Sequence, residues 1–175
     1  MPSTPQTPGK CIDLALQGGG SHGALTWGVL DRLLADPRID IACISGTSAG
    51  AMNAVVMADG LQRGGRDGAR EALERFWKAV SESARFSPIQ RGLWDRLAGR
   101  WSLDANPAYL FFDQLTRQFS PYELNPLDIN PLRDLVAREV DFERVNSCEA
   151  LKVFVTATNV RTGRARTFTQ PELTV

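Results

Sequence analysis

A serine flanked by glycines is the feature of this sequence best suited to chemistry. The pentapeptide Gly46-Thr47-Ser48-Ala49-Gly50 has the pattern Gly-x-Ser-x-Gly and lies between an apolar run and a helix-like segment. In that context the turn is tight, and a side chain on Gly46 or Gly50 would clash. Ser48 would then project at a helix N-terminus, where developing negative charge is favoured. The pattern predicts a nucleophile, and a plain N-cap serine is an equally weighted interpretation of the pentapeptide alone.

A second glycine cluster precedes the first helix, and two functions could explain it. Gly18-x-Gly20-x-x-Gly23 has the spacing of a dinucleotide-binding loop. That function needs an acidic residue at the end of the second strand, but Asp40 stands at its start. The carboxyl ends of two parallel strands can instead face one crevice. We therefore expect the loop formed by Gly18, Gly19, Gly20 and Gly23 to stabilise an oxyanion together with the N–H of Ala49, with nucleotide binding as the alternative.

The proton acceptor for the serine is the next question. The chain has one histidine, His22, and it lies inside the glycine loop. A triad histidine stands on a separate loop, opposite the oxyanion donors. We expect His22 to orient the loop or contact an anionic head group, which leaves a carboxylate as the base in a Ser–Asp dyad.

Hydrophobic periodicity predicts the elements that position these residues. Apolar runs alternate with helical patterns joined by short connections, which is typical of an α/β fold with a parallel sheet and right-handed crossovers. Residues 1–10 form a predicted flexible lead-in, followed by a single domain over residues 11–175. The predicted strands are 12–16, 39–46, 150–160 and 165–169; the predicted helices are 24–34, 48–58, 70–84, 107–118 and 131–139, with a polar connection at 60–68.

Composition excludes several classes of protein. Twenty basic and twenty acidic residues cancel, so no net field attracts nucleic acid or anionic lipid. Three cysteines form no metal-ligand spacing and favour a reducing compartment. No apolar run approaches membrane-spanning length. These features predict a cytoplasmic protein, with a peripheral position at membranes and signal-less secretion left open. The arginines Arg161, Arg164 and Arg166 are interpreted as a solvated hairpin.

The paired motifs resemble a known family. "GGGSHGALTWGVLDRLL" followed by "ISGTSAGAMNA" is similar to the N-terminal half of a patatin-like phospholipase domain, and "TATNVRTGRARTF" is similar to a later strand and turn of that domain. The resemblance implies a three-layer α/β/α sandwich around a mainly parallel sheet. It also implies a lipid acyl hydrolase of the phospholipase A or lysophospholipase type, with Ser48 as nucleophile and no metal or organic cofactor. The substrate would be a phospholipid or other lipid ester at a membrane or micelle surface.

Two departures from the family pattern matter. The family often has Arg or Lys where this chain has His22. The catalytic aspartate of the family lies in an Asp-Gly-Gly/Ala motif near the end of the domain, and this chain has no such motif at that place. Asp59-Gly60 and Asp67-Gly68-Ala69 come too early and are interpreted as turns. We therefore expect an incomplete domain, which is a truncated product, a proteolytic piece, or one of two chains that together complete the site, with the aspartate on the missing part. A catalytically silent domain that keeps the fold is the further alternative.

Aromatic residues in the middle of the chain are the last candidates. They would line an acyl-chain entrance or fill an ordinary core. These residues are Phe86, Trp94, Trp101, Phe111 and Phe112.

Overall fold

The computed structural model describes residues 9–84 and 130–175. By its internal contacts the chain divides into two compact units, residues 1–79 with 132–175 and residues 80–131. The account below concerns the first unit. The predicted helix at 107–118 and the five aromatic candidates between Phe86 and Phe112 lie outside the described residues, as does most of the predicted lead-in.

A four-stranded sheet forms the centre of the first unit. Its strands are β1 (Lys10–Leu16), β2 (Ile39–Gly46), β3 (Lys152–Thr158) and β4 (Ala165–Thr169), in the order β1-β2-β3-β4. The first three are parallel, and β4 pairs antiparallel with β3 as a hairpin. The predicted α/β class and mainly parallel sheet are confirmed. Because β1, β2 and β3 are parallel, their carboxyl ends meet at one edge, which we call the catalytic edge because the sequence predicts an active site there.

An irregularity in β2 explains the spacing of its buried side chains. Ile12 pairs with Ile41 but Asp13 pairs with Cys43, so Ala42 is an extra residue in the strand. A bulge of this kind reverses the side-chain alternation. Ile41 and Ile44 are three residues apart and both are buried. The run read from the sequence as a simple strand therefore contains a bulge that keeps both isoleucines in the core.

Four helices and one short turn surround the sheet. A 3-10 turn (Gly20–His22) leads into α1 (Gly23–Leu34), which connects β1 to β2. The others are α2 (Ala49–Ala84), α3 (Pro131–Glu139) and α4 (Phe142–Asn146). In the described part of the chain, no helix combines the length and apolar content needed to cross a membrane.

Helix α2 is a helical hairpin. Its backbone leaves helical geometry only at Gly64 and Gly65. The Trp77 indole N–H on the second arm donates to the Asn53 side chain on the first, 24 residues earlier, so the arms run antiparallel. The predicted polar connection at 60–68 is wrong in extent, because all but two of its residues continue the two arms. Packing between the arms outweighs the turn preference of the Asp-Gly pairs in this segment.

The spacing of apolar residues in α1 predicts a buried stripe of Leu25, Val29 and Leu33, with Leu30 and Leu34 alongside, but the helix buries a different face. Leu30 and Leu34 are buried as expected, whereas Leu25 is 74% and Val29 53% exposed. The apolar positions of α1 cover more than one face, so spacing alone did not identify the buried one. The predicted stripe of Leu25, Val29 and Leu33 is corrected accordingly.

One arginine on the second arm of α2 holds the end of α1. The guanidinium of Arg66 donates to the backbone carbonyls of Leu33, Leu34, Asp36 and Ile39 at 2.6 to 2.9 Å. These carbonyls belong to the last turn of α1 and its connection to β2, where helix carbonyls lack partners. Arg66 therefore fixes α1 against α2.

The first arm of α2 is fixed to α4 through a buried carboxylate. Asp59 is fully buried and pairs with Arg63 at 2.8 Å and with Arg144 at 2.8 Å. The predicted turn role of Asp59 is wrong, because the residue lies inside a helix. Asp67 is also helical, and its side chain is 87% exposed. Through these contacts α2 is fixed to both α1 and α4.

Candidate active site

Ser48 lies in the turn between β2 and α2 at the catalytic edge. It is exposed, and its φ of 50° makes it the single non-glycine residue with positive φ in the described part of the chain. That region costs a residue with a side chain about 1–2 kcal/mol. A strained, exposed serine at a helix N-terminus has the geometry of a nucleophile elbow.

The glycines two residues before and after Ser48 make this turn possible. A Cβ on Gly46 would lie 2.5 Å from the backbone carbon of Gly50. A Cβ on Gly50 would lie 2.5 Å from the carbonyl oxygen of Leu16, at the end of β1. Neither backbone atom can move without opening the turn. Steric contact with the backbone therefore explains why glycine is required both two residues before and two residues after Ser48.

The glycine loop contacts this turn directly. A Cβ on Gly18 would lie 3.1 Å from the Cβ of Ser48 and 3.2 Å from the carbonyl oxygen of Thr47. Loop and turn thus meet at van der Waals distance, although 30 residues separate them in sequence. Gly19 and Gly20 both have positive φ, at 152° and 56°.

Free backbone donors are present near the serine. Among the described residues there is no acceptor for the N–H groups of Gly19, Gly20 and Ala49. Ala49 is the first residue of α2, where the helix dipole adds partial positive charge. Gly23 differs, because its N–H donates to the carbonyls of Gly20 and Ser21. Gly23 can shape the loop but has no free donor to offer.

Gly23 is the point where α1 meets α2. A Cβ there would lie 2.7 Å from the Trp77 ring and 2.8 Å from the Cβ of Ala49. The buried amide of Asn53 donates to the Gly23 carbonyl at 3.0 Å and accepts from the Trp77 indole N–H at 2.8 Å. Sequence reasoning missed Asn53. The available signal was a polar amide in the otherwise small and apolar segment "SAGAMNAVVMA".

His22 closes the 3-10 turn of the loop. Its ring Nδ1 lies 3.0 Å from the carbonyl oxygen of Gly19, and its own N–H donates to the same carbonyl at 3.1 Å. The ring is exposed. These contacts stabilise the conformation of the loop. Among the described contacts, His22 forms no hydrogen bond to Ser48.

The Ser48 hydroxyl makes no hydrogen bond to a carboxylate or imidazole within residues 9–84 and 130–175. Asp59 is committed to its two arginines, and the exposed Asp67 pairs with Arg70 at 3.6 Å. Neither of the early Asp-Gly pairs therefore supplies a base to Ser48.

An open cavity of about 240 Å³ lies at the catalytic edge. Its walls come from the carboxyl ends of β1, β2 and β3: Ala15, Leu16, Gln17, Ser45, Gly46, Thr47 and Thr156. Asp40, the acidic residue considered for a dinucleotide ribose, pairs with Cys11 near the amino end of β2. It lies at the opposite edge of the sheet from the glycine loop.

A family model matches most of this chain. The sequence model of the family described as Patatin-like phospholipase matches residues 14–174. No curated protein matches the chain. A solved structure, the heterodimeric ExoU-SpcU complex from the type III secretion system of Pseudomonas aeruginosa, is 18% identical, with a TM-score of 0.38.

The overlap with that structure is unequal. It covers 95% of this chain and 35% of the other, so the present chain spans about a third of it. The family match rests instead on the sequence model, which extends from β1 to the residues after β4. The chain belongs to the patatin-like phospholipase family.

Proposed function

We propose that this protein is a lipid acyl hydrolase that uses Ser48 as its nucleophile. The observation that carries the proposal is the contact between the glycine loop and the serine turn, where a Cβ on Gly18 would lie 3.1 Å from the Cβ of Ser48. The proposal is supported by backbone N–H groups of the loop that have no acceptor among the described residues, and by an exposed serine with positive φ at a helix N-terminus. Family membership supports lipid hydrolysis as the general activity.

The proposed reaction proceeds in two steps. The Ser48 hydroxyl loses its proton to a carboxylate while its oxygen attacks the ester carbonyl. The resulting oxyanion accepts hydrogen bonds from the loop N–H groups of Gly18–Gly20 and from Ala49, and one such donor is typically worth about 3 kcal/mol of barrier. The alcohol leaves with the proton, and an acyl-serine remains. Water then attacks the acyl-serine, returns a proton to Ser48 through the carboxylate and releases the fatty acid.

The carboxylate in this scheme is an aspartate outside the described residues, and a second polypeptide is its proposed source. Two observations support a base from outside the described residues: none of their carboxylates hydrogen-bonds the Ser48 hydroxyl, and Asp59 is engaged by Arg63 and Arg144. The same observations favour the catalytically silent interaction domain as the second candidate function.

The substrate class follows from the site and the family. The catalytic edge is open, and the cavity beside Ser48 faces solvent at the ends of three strands. An exposed nucleophile can reach an ester presented by a membrane or micelle. The proposed substrate is therefore phospholipid or a related lipid ester, bound peripherally, and the free cysteines favour the reducing cytoplasm as the proposed location.

Labelling with a fluorophosphonate probe, followed by intact-mass spectrometry, tests the proposal. We expect one adduct on Ser48, and the Ser48→Ala variant should remain unlabelled. Ser147→Ala is the matched control, because this exposed serine at the end of α4 lies outside the site. A second polypeptide in the active sample would be the source of the aspartate. If neither the purified chain alone nor the chain with its co-purifying partners is labelled, hydrolase function is contradicted and the silent domain is supported.

A further inference from the structure

The hairpin between β3 and β4 projects beyond the catalytic edge. Gly46, the last residue of β2, pairs with Val155, and β3 continues to Thr158. At about 3.3 Å per residue, β3 extends roughly 10 Å past the end of β2. Its turn, residues 159–164, therefore lies beyond the catalytic edge, the same edge of the sheet at which Ser48 lies.

This hairpin carries positive charge without compensating acidic residues. Between Lys152 and Glu172 the sequence contains three arginines, Arg161, Arg164 and Arg166, and no Asp or Glu. Within the described chain Arg161 and Arg164 form no ion pair, while Arg166 lies 4.5 Å above the Phe168 ring and 3.7 Å from Glu172. Two guanidinium groups are thus free to bind anions.

An apolar side chain stands at the tip beside these arginines. Val160 is 80% exposed, the highest value among the large hydrophobic residues of the described chain. Apolar residues flanked by cations are typical of segments that rest at the interface of an anionic membrane. Val160 would enter the headgroup region while Arg161 and Arg164 contact lipid phosphates.

The turn is held rigid, so its charges have a fixed position. The Asn159 side chain accepts from the N–H groups of Arg161 and Thr162 at 3.0 and 3.1 Å. Its backbone bonds to Arg164 and Gly163 at 2.9 and 2.8 Å. A preorganised surface loses little conformational freedom on binding.

From these observations we propose that the β3–β4 hairpin docks the protein on an anionic lipid surface, with Val160, Arg161 and Arg164 as the contact residues. The proposal rests on the proposed function in so far as docking here would present the catalytic edge to lipid esters. Thr156, two residues before the end of β3, lines the cavity beside Ser48. The same strand therefore connects the docking turn to the site.

Co-sedimentation with phospholipid vesicles tests the proposal without requiring turnover. The protein, with Ser48→Ala as background, is mixed with vesicles of phosphatidylcholine alone or with added phosphatidylserine. Each arginine near an anionic surface contributes about fivefold in affinity, so Arg161→Gln with Arg164→Gln should weaken binding to the anionic vesicles roughly 25-fold. Val160→Asp should weaken it further.

Arg32→Gln is the matched control. Arg32 is exposed on α1 near the opposite edge of the sheet and forms no ion pair with a described residue. We expect its binding to equal that of the parent. The proposal would be overturned by any of three results. These are an equal loss of vesicle binding in Arg32→Gln, full vesicle binding by the double arginine variant, and equal binding to anionic and neutral vesicles. If only Leu25→Gln loses binding to the vesicles, the lipid contact lies on the exposed face of α1, and the proposal is overturned.

The two proposals fail separately. A protein that binds anionic vesicles through the hairpin but is never labelled at Ser48 would keep the docking surface and lose the hydrolase function. A protein that is labelled at Ser48 but ignores the lipid charge would do the reverse. In both cases the circular dichroism of the hairpin variants should match that of the parent, because the changed side chains are exposed.

Discussion

Gly18 and Ser48 are in direct contact across 30 residues of sequence, since a Cβ on Gly18 would lie 3.1 Å from the Cβ of Ser48. The contact joins the end of β1 to the turn after β2, and it brings the glycine loop against the serine turn. Interactions that stabilise an oxyanion depend on donors held at hydrogen-bond distance from the charge as it develops. The close approach is therefore a requirement of the proposed chemistry as well as of packing.

Replacing Gly18 with alanine should slow labelling of Ser48 with little loss of stability. The added methyl would be 3.2 Å from the Thr47 carbonyl oxygen, so the loop must shift by a few tenths of an ångström. Misplacement of one donor can cost up to about a hundredfold in rate. The labelling rate by a fluorophosphonate measures this effect. Gly28→Ala is the control, because Gly28 has open space around it; equal rates in the two variants would contradict the role of the loop.

Replacing Ser48 with glycine should stabilise the fold relative to Ser48→Ala while neither variant is labelled. The φ of 50° is strained for alanine and relaxed for glycine. The greater entropy of unfolded glycine offsets part of this gain, so the expected difference is about 0.5–1 kcal/mol. Urea unfolding of both variants measures it. A Ser48→Ala variant as stable as Ser48→Gly would show that the turn stores no strain.

Asn53→Ala should destabilise the protein strongly. The change removes two buried hydrogen bonds, leaving the Gly23 carbonyl and the Trp77 indole N–H without their partner. Each buried group left unpaired costs about 1–3 kcal/mol, so a total of roughly 2–5 kcal/mol is expected. Gln62→Ala is the control, because its exposed amide donates a single hydrogen bond to Ser147. Similar unfolding midpoints for the two variants would contradict the bridging role of Asn53.

The two early aspartates should respond very differently to conversion to asparagine. Asp59→Asn would remove the ion pair to Arg63 and leave Arg144 with Asp141 alone, while the new amide stays buried with too few partners, at a cost of about 1–3 kcal/mol. Its hydrogen bond also raises the pKa of Arg144, which keeps that guanidinium charged. Asp67→Asn removes an exposed pair worth at most about 1 kcal/mol. Thermal unfolding compares the variants, and equal shifts would contradict the buried network.

The sequence predicted the features that depend on neighbouring residues. The strand ends at Leu16 and Gly46, the helix start at Pro131 and the β3–β4 hairpin all follow from local apolar runs and turn residues. Contacts between distant residues were not predictable in this way. Asn53 finds its partners 30 and 24 residues away, and no periodicity signals such a pairing.

The difference between local preference and contacts of distant residues also explains why the polar connection predicted within α2 was wrong in extent. Asp59-Gly60 and Asp67-Gly68 carry turn preference, yet only Gly64 and Gly65 leave helical geometry. The helical conformation at Asp59 is stabilised by Arg144, which lies 85 residues later. Tertiary contacts thus outweigh local preference in this segment.

The Asp36–Arg38 pair predicts how stability changes with pH. The Arg38 side chain and backbone N–H donate to the Asp36 carboxylate at 2.7 to 3.0 Å, and these bonds hold the pKa of Asp36 well below its ordinary value. Between that lowered pKa and about 3.9 the unfolded chain binds more protons than the folded one. The stabilisation is therefore complete above about pH 5 and is lost as the pH falls through the folded pKa.

Asp36→Asn should consequently be less stable than the parent at neutral pH, with the gap narrowing as the pH falls below about 4. Urea unfolding over a descending pH series measures the gap. Asp40→Asn is the control, because Asp40 is exposed on β2 and forms no ion pair with a described residue. A gap for Asp36→Asn that stays constant down to about pH 3 would mean that its bonds to Arg38 do not stabilise the connection between α1 and β2.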